Sequence, residues 1–554
     1  PEATARLRQE FLSGEFLEGI SVEILPSSSL EGTLGAYAQS TNTIFLSQDL
    51  LASTPEQASS VLLEEVGHAI DDFLNDSDTP GDEGEIFASL VQGVELSNQT
   101  LDSLREEDDS ATLELNDGER VIVEQATNQI QPTESALRSA INNASSGDTI
   151  TFDSGGTINL SNGQLTVDKA LTIDGDINED NTPEITVDAD GNSRVFNIDN
   201  GNENNDVSVA IDGLTIQGGG ITVSSSDFLD DNFVIIDGAG IFNREDLTIS
   251  NSTISGNSSS GSGGGIYNYG TANINNSTIS GNDTEEFGDD GGGIFNNGTL
   301  NLNNSTISGN TGAFNAGGID NLGTVNITNS TISGNNADDD GGGIDNLGTV
   351  NITNSIVSNN FAPDDGGGIS NRNGATANIK NNSEISDNSV SGKGGGIFNR
   401  GDITLSESTI SGNAISNNRT LSLFNNGGGI YNEEYGTAEV IKSTISGNSA
   451  DDDGGGINNR FGTVNVSHSI IENNVASSSG AGIDNDFGTT TVNHSTLSNN
   501  TASGDGGGIL MEDGTVEIGN SVIKNNVAFD DGGGVSNLSS TVKVSNSTIS
   551  GNSA

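Results

Sequence analysis

The chain has 554 residues, 79 acidic and 17 basic, for a formal net charge of −62. So acidic a surface excludes nucleic acid and anionic membranes as partners, because both are bound through lysine and arginine, while it suits Ca2+, which takes oxygen ligands. Only 31% of residues are hydrophobic and 4% aromatic, with 76 glycines and no cysteine, which excludes a conventional core throughout the chain, disulfides and thiolate metal sites.

Three zones succeed one another: residues 1–112, with helical patterns and clustered acids; residues 113–147, a connector; and residues 148–554, which are repetitive. No apolar run of about 18 residues is present, so no membrane-spanning helix is expected. The chain starts at Pro1 without Met and stops within a repeat at Ala554, and it reads as a fragment.

In the first zone, Tyr37 to Leu46 reads as a strand. A helix comes next, with Thr54 as N-cap and Pro55 in its first turn, running to about Phe73. Gly81 to Glu85 opens a second helix that continues from Ile86 to Gln92. Strand, then helix with Glu64-Glu65-Val66-Gly67-His68, resembles the zincin metalloproteases and their His-Glu-x-x-His motif. The resemblance implies that His68 is a Zn2+ ligand, that Glu65 is the general base, and that Glu64 stands where the first histidine would be. It also implies a third ligand from the following helix, Glu83 or Glu85. Similar Glu-Glu-x-Gly-His segments, followed by Gly-Asp-Glu-Gly, open large repeat-rich cyanobacterial surface proteins. Three readings stay open: a polar helix face without metal, a bound metal without proteolysis, and a working protease.

Residues 111–124 read as a β-hairpin turning at Asn116-Asp117-Gly118. Thr133 to Ile141 reads as an amphipathic helix able to cover the open end of a solenoid. From 148 to 235, short strand signals such as Leu165-Thr166-Val167 and Leu171-Thr172-Ile173 mark irregular coils.

From about residue 236 a unit of roughly 25 residues recurs. Gly-Gly-Gly-Ile-x-Asn places its aliphatic residue at Ile319, Ile344 and Ile369, among others, and Asn-Ser-Thr-Ile-Ser-Gly-Asn comes after it, as at 329–335. Within one unit, Ile319 lies in a short strand and Leu322-Gly323 turns the chain. Val325 and Ile327 then alternate with polar residues, Asn329-Ser330 makes a corner, and Ile332 begins a third strand closed by Gly334-Asn335. A polar loop from Ala337 to Asp340 leads to the next triplet, giving three strands and three turns. One such coil buries too few aliphatic groups to offset the entropy of ordering it. Stacked coils pair each strand with its equivalent, place Ile over Ile, and build ladders of Asn over Asn at the corners.

These repeats resemble the pectin-lyase-like right-handed parallel β-helix. Gly-Gly-Gly-Ile with elements such as Ile294-Phe295-Asn296 is similar to polymorphic outer-membrane-protein repeats. The expected fold is therefore mainly β, a right-handed parallel β-helix solenoid behind a small α+β zincin-like N-terminal domain. That fold carries lyases, hydrolases, adhesins and stalks alike.

Several constellations recur along the coils. Acidic runs precede the triplets at Asp289-Asp290, Asp338 to Asp340, Asp364-Asp365, Asp451 to Asp453 and Asp530-Asp531, either solvated or holding Ca2+. Asp320 and Asp345 stand in register, as a glycosidase carboxylate pair would, and Arg372 and Arg400 do so as in pectate-lyase sites. His468 and His494 are expected to stack where sibling coils carry the corner Asn. The function expected first is an extracellular or cell-surface structural or adhesive protein, outer-membrane association included, with a surface polysaccharide or protein as partner. A secreted zinc metallopeptidase with a β-helix appendage, and a polysaccharide lyase or hydrolase, are the alternatives.

Overall fold

The computed structural model describes the chain apart from residues 1–6, 8–14, 27–29, 31–33, 49, 51–54, 75–82, 93–109, 115–119, 126–128, 179, 203–204, 221–236, 286–289 and 416–425. The chain forms two compact units, Pro1–Ile130 and Gln131–Ala554.

In the first unit a short helix α1 (Glu15–Glu18) precedes a five-stranded sheet of β1 (Ser21–Leu25), β2 (Gly35–Ala38), β3 (Thr43–Ser47), β4 (Ser110–Glu114) and β5 (Arg120–Gln125), ordered β1-β3-β2-β5-β4. Only β1 and β3 pair in parallel. The segment expected as one strand from Tyr37 to Leu46 is instead the β2–β3 hairpin. Four polar residues, Gln39 to Asn42, reverse the chain, and Asn42 takes a left-handed φ of 49°. Asn42 accepts from the Tyr37 hydroxyl at 2.9 Å and donates to the Gly19 carbonyl at 2.8 Å, which fixes the turn.

Helix α2 (Pro55–Leu74) and helix α3 (Glu83–Gln92) complete this unit. Alternation along the hairpin sends Tyr37 and Ile44 toward Val66 and Ala69 of α2. Ala36, Ala38 and Phe45 go to the other face, against Val121 and Val123 of β5. The N-cap expected at Thr54 and the turn expected at Asn116-Asp117-Gly118 lie outside the described residues.

The second unit opens with α4 (Glu134–Asn143), capped by the Thr133 hydroxyl, which accepts from the Ala136 amide. Leu137 and Ile141, one turn apart, are buried. The Glu134 carboxylate accepts from the Ser161 and Asn162 amides, and Lys169 Nζ donates to the Ile141, Asn142 and Ala144 carbonyls at the other end of the helix. The first coil thus satisfies the C-terminal carbonyls of the helix and anchors the Glu134 side chain at its other end.

Beyond α4 the chain winds into a parallel β-solenoid. In the coil of Ile319 the strands are Ile319–Asn321 on a first face, Thr324–Thr328 on a second and Thr331–Ser333 on a third. Each pairs in parallel, residue for residue, with its equivalent in the next coil, as Ile319 with Ile344 and Val325 with Val350. The third face alone holds 15 strands, so the stack rises roughly 70 Å at about 4.8 Å per coil. Inside are Ile319, Asn321, Val325, Ile327 and Ile332, all buried. Each aliphatic burial contributes roughly 1.5–3 kcal/mol.

The expected three-strand coil needs one correction. Ala337, read as the start of a polar loop, belongs with Asn336 to a fourth strand, Asn336–Ala337, in an 11-stranded parallel ladder. Its second residue points inward, and Ala337, Ala362, Val390, Ile415 and Ala450 pack as one buried stack. Two residues are too short for an alternation signal, so only the stacking of coils exposes this ladder.

The triplet glycines have separate reasons. Gly341 sits at φ 67°, and a Cβ on Gly343 would lie 2.6 Å from the Gly368 carbonyl oxygen of the next coil.

Candidate functional site

In the first unit, Glu64, Glu65 and His68 occupy one buried stretch of α2, with relative exposures of 8%, 0% and 1%. A Cβ on Gly35 of β2 would lie 2.5 Å from Glu65 Oε1, and one on Gly84 of α3 would lie 2.3 Å from His68 Nε2. Glycine at these two places leaves room for a carboxylate and an imidazole between the hairpin and two helices. Glu83 and Glu85 flank Gly84 in the first turn of α3; their side chains lie outside the described residues. An imidazole nitrogen and carboxylate oxygens are donor types that Zn2+ takes, but Glu64, Glu65 and His68 do not converge as a three-ligand group among the described residues.

The solenoid interior carries polar rows. Asn335 Nδ2 donates to Asn360 Oδ1 at 3.0 Å and to the Ile307 carbonyl at 3.1 Å, while its Oδ1 accepts from the Asn310 amide at 3.0 Å and from Asn310 Nδ2 at 2.9 Å. This buried ladder runs from Asn257 to Asn552. A second, through Asn321 and Asn346, ends at Asn485, because Met511 takes the next position. A third row is serine, where the amide of Ser330 donates to Ser355 Oγ. The corner residues themselves, such as Asn329 at φ 51°, lie outside the core.

His468 and His494 hold that same left-handed corner, at φ 53° and 50°, with rings parallel within 1° and centroids 4.9 Å apart. Asn takes this conformation most readily, so the histidines prolong an existing row.

A further row points outward from the first face, between the Ile and the Asn, and the loops before the triplets cover it. It begins with Phe242, Tyr267 and Phe295, stacked in sequence, with Arg194 4.8 Å and Arg244 5.5 Å from the Phe242 ring centre. Asp320 and Asp345 come next, in register and 1% and 0% exposed. They line no open groove. Arg372 donates from Nε to Asp345 Oδ1 at 2.7 Å and from Nη2 to Asp345 Oδ2 at 2.9 Å, and it pairs with Asp340 at 3.1 Å. Arg400 is engaged elsewhere, on Glu433, which also accepts from Lys393. Burial opposes the Glu433 charge, but Lys393 and Arg400 outweigh it and hold the carboxyl below its ordinary range.

The acidic loops form a ladder of their own. Asp340 Oδ1 accepts the Asp365 amide at 2.7 Å, Asp453 Oδ1 that of Ser479 at 2.8 Å, and Asp505 Oδ1 that of Asp531 at 2.8 Å. Asp289 lies outside the described residues. Burial, then Asp340, pushes the Asp365 carboxyl up to about 7. Burial, then Asp453, raises Asp452 to about 6.

One cluster escaped the sequence reading. Asp176, Asp180 and Glu184 in an irregular coil bring carboxylate oxygens within 4.8 Å of one another. The Asp180 and Asn181 amides donate to Asp176, and Asn181 is left-handed at φ 64°. The signal was present as acidic or polar residues at every second place, Asp176, Asn178, Asp180, Thr182 and Glu184. Among the described residues no helix is long and apolar enough to cross a membrane.

Fold and rows together define a parallel β-solenoid protein of repeated coils. Residues 251–269 and 494–512 match the Chlamydia polymorphic membrane protein repeat. Both segments begin at the left-handed corner, Asn251 or His494, and end at or just past the first-face strand of the next coil. Among solved structures the chain is similar to PfbA, a surface adhesin of Streptococcus pneumoniae, at 15% identity over 75% of this chain and 89% of that one, with a TM-score of 0.20. No curated protein matches the chain.

Proposed function

We propose that the chain is a structural or adhesive β-solenoid of the cell surface, with the right-handed crossovers that parallel strands favour. The supporting observation is the repeat of the Chlamydia polymorphic membrane proteins at two places in a stack whose register is unbroken. In such a stack Asp345, Arg372, Arg400 and Glu433 are committed to one another across coils. Its extracellular location and its binding to a surface polysaccharide or protein are part of the same reading. So is Ca2+ on the acidic loops and at Asp176, Asp180 and Glu184, whose oxygen donors suit that ion. Antibody labelling of intact producing cells tests it: signal without permeabilisation is expected, and signal only after lysis would remove it.

A second reading rests on the buried Glu64, Glu65 and His68. It makes the first unit a zincin-like metal domain, with Glu64, His68 and Glu83 or Glu85 holding Zn2+ and Glu65 as the base of a secreted metallopeptidase. Metal analysis of the full chain is the check. Bound Zn2+ that is lost in His68→Ala, with peptide cleavage lost in Glu65→Gln but metal retained, is the expected pattern. A chain that takes up no Zn2+ sinks it.

A further inference from the structure

In the outward row of the first face, Asn458 and Asp484 stand in register in successive coils, 1% and 4% exposed. Asn458 Nδ2 donates to Asp484 Oδ2 at 2.7 Å. The other oxygen of each side chain, Asn458 Oδ1 and Asp484 Oδ1, is buried and meets no donor among the described residues. The row itself supplies none. Tyr431, one coil before, turns its hydroxyl to Glu433 Oε1 at 3.4 Å, and Leu510, one coil after, carries no polar side-chain atom. The loop backbone lies close over the acid, for a Cβ on Gly480 would fall 2.5 Å from that of Asp484.

The charges that bear on Asp484 are acids. Asp452 and Asp453 do so from the loop before Asn458, Asp486 from its own strand and Glu512 from the equivalent strand of the next coil. Asp505, in the loop before Leu510, turns its Oδ1 to the Asp531 amide. Arg460, on the strand of Asn458, pairs with Asp486 at 3.4 Å. An ionised Asp484 would therefore hold its charge away from water and among like charges, with a single hydrogen bond to support it. Burial, then Asp453, pushes its carboxyl well above the ordinary range. A neutral carboxylic acid has an O–H to donate, and the amide oxygen of its hydrogen-bonded neighbour is an acceptor in need of one.

We propose that folded Asp484 keeps its proton and donates it to Asn458 Oδ1, closing with the Asn458 Nδ2 bond a carboxylic acid–amide pair that clasps two coils and gives way as pH rises. One proton then fills both orphan oxygens. Its loss leaves two buried acceptors without a donor and sets a negative charge beside Asp453 and Glu512. The folded value exceeds the unfolded one, so the stability that the pair supplies is complete below about pH 4 and is lost as pH climbs through the folded value. The seam between these coils is thus a pH-sensitive joint.

The test follows hydrogen exchange of the amides in Ile457–Arg460 and Ile483–Asp486 in the full chain, wild type against Asp484→Asn, at a series of pH values upward from about 4. The new amide keeps the shape, cannot ionise and brings its own N–H for Asn458 Oδ1. The other carboxyls are common to both proteins and cancel in the ratio of their protection factors. Protection in the variant relative to the wild type is expected to grow about tenfold per pH unit until the folded carboxyl itself ionises. A ratio that does not change with pH overturns the pair, because Asp484 would then ionise alike in the closed and open states. Should Asp484→Asn not fold, Asp484→Leu serves the same comparison, since Leu510 already fills this place in the next coil. Infrared difference spectra, wild type minus variant at about pH 6, give a second readout. The carbonyl stretch of one protonated carboxylic acid is expected, and carboxylate bands in its place reject the proposal.

Discussion

Asn335 satisfies four groups at once, two in the ladder and two on the backbone, which is why a polar amide can sit in an aliphatic core. Truncating it to Ala strands the Asn310 amide and the Ile307 carbonyl. At about 1–3 kcal/mol for each buried group left unpaired, Asn335→Ala is expected to lower unfolding free energy by roughly 2–5 kcal/mol. Urea denaturation measures it, and a loss below about 0.5 kcal/mol would mean that the ladder is decoration. In the first unit, Gly84→Ala drives a methyl group into the His68 ring. Overpacking of this kind costs about 1–3 kcal/mol. The expected result is a lower melting temperature for this unit while the solenoid melts as before. Spacing alone put Glu64, Glu65 and His68 on one helix. Their enclosure by Gly35 and Gly84 was not legible, because it depends on a hairpin and a second helix packing against that helix.

The elements show where periodicity succeeds and where it fails. Strands of five residues such as Thr324–Thr328 alternate cleanly and were readable. The two-residue fourth ladder and the β2–β3 turn were not, being too short to carry a period. The third triplet glycine is a close approach between coils, with a neighbouring carbonyl 2.6 Å from any Cβ at Gly343. Gly343→Ala is therefore expected to separate two coils and to raise hydrogen exchange there selectively; uniform protection would contradict it. Helix α4 is held from the other direction. Burial works against the Glu134 charge, but hydrogen bonds from Ser161, Arg138 and Asn162 together outweigh it and bring its carboxyl down to about 2. Its folded value lies below the unfolded one, so the stability it supplies is present above about pH 4.5 and is lost as pH falls toward 2.

At the scale of the solenoid the acids act the opposite way. Asp365 at about 7, and Asp283, Asp339 and Asp452 at about 6, are all raised, first by burial and then chiefly by neighbouring acids. Each folded value exceeds the ordinary 3.8, so the folded state keeps protons that the unfolded chain has released. Stability from these groups is full below about pH 4 and declines as pH rises through 6 and 7. Without divalent cations, the melting temperature of the solenoid is expected to rise as pH falls from 8 to about 5. A flat or falling profile over that range would show that these carboxyls are not as enclosed as their positions indicate. Because the strands of each coil pair only with those of its neighbours, such effects spread along the stack as local changes in stability.

The sequence by itself determined the parallel solenoid. A unit of about 25 residues with inward Ile and Val has one way to bury them, by setting each coil on an identical one, and that constraint is written in spacing. It also placed the carboxylates and the histidine of α2 one turn apart. Only the tertiary structure decided which polar side chains have partners. Whether an Asp of the outward row meets an Arg, as Asp345 does, or meets none among the described residues, as Asp484, depends on residues one coil away and on a loop folded over them, and no local pattern records that distance.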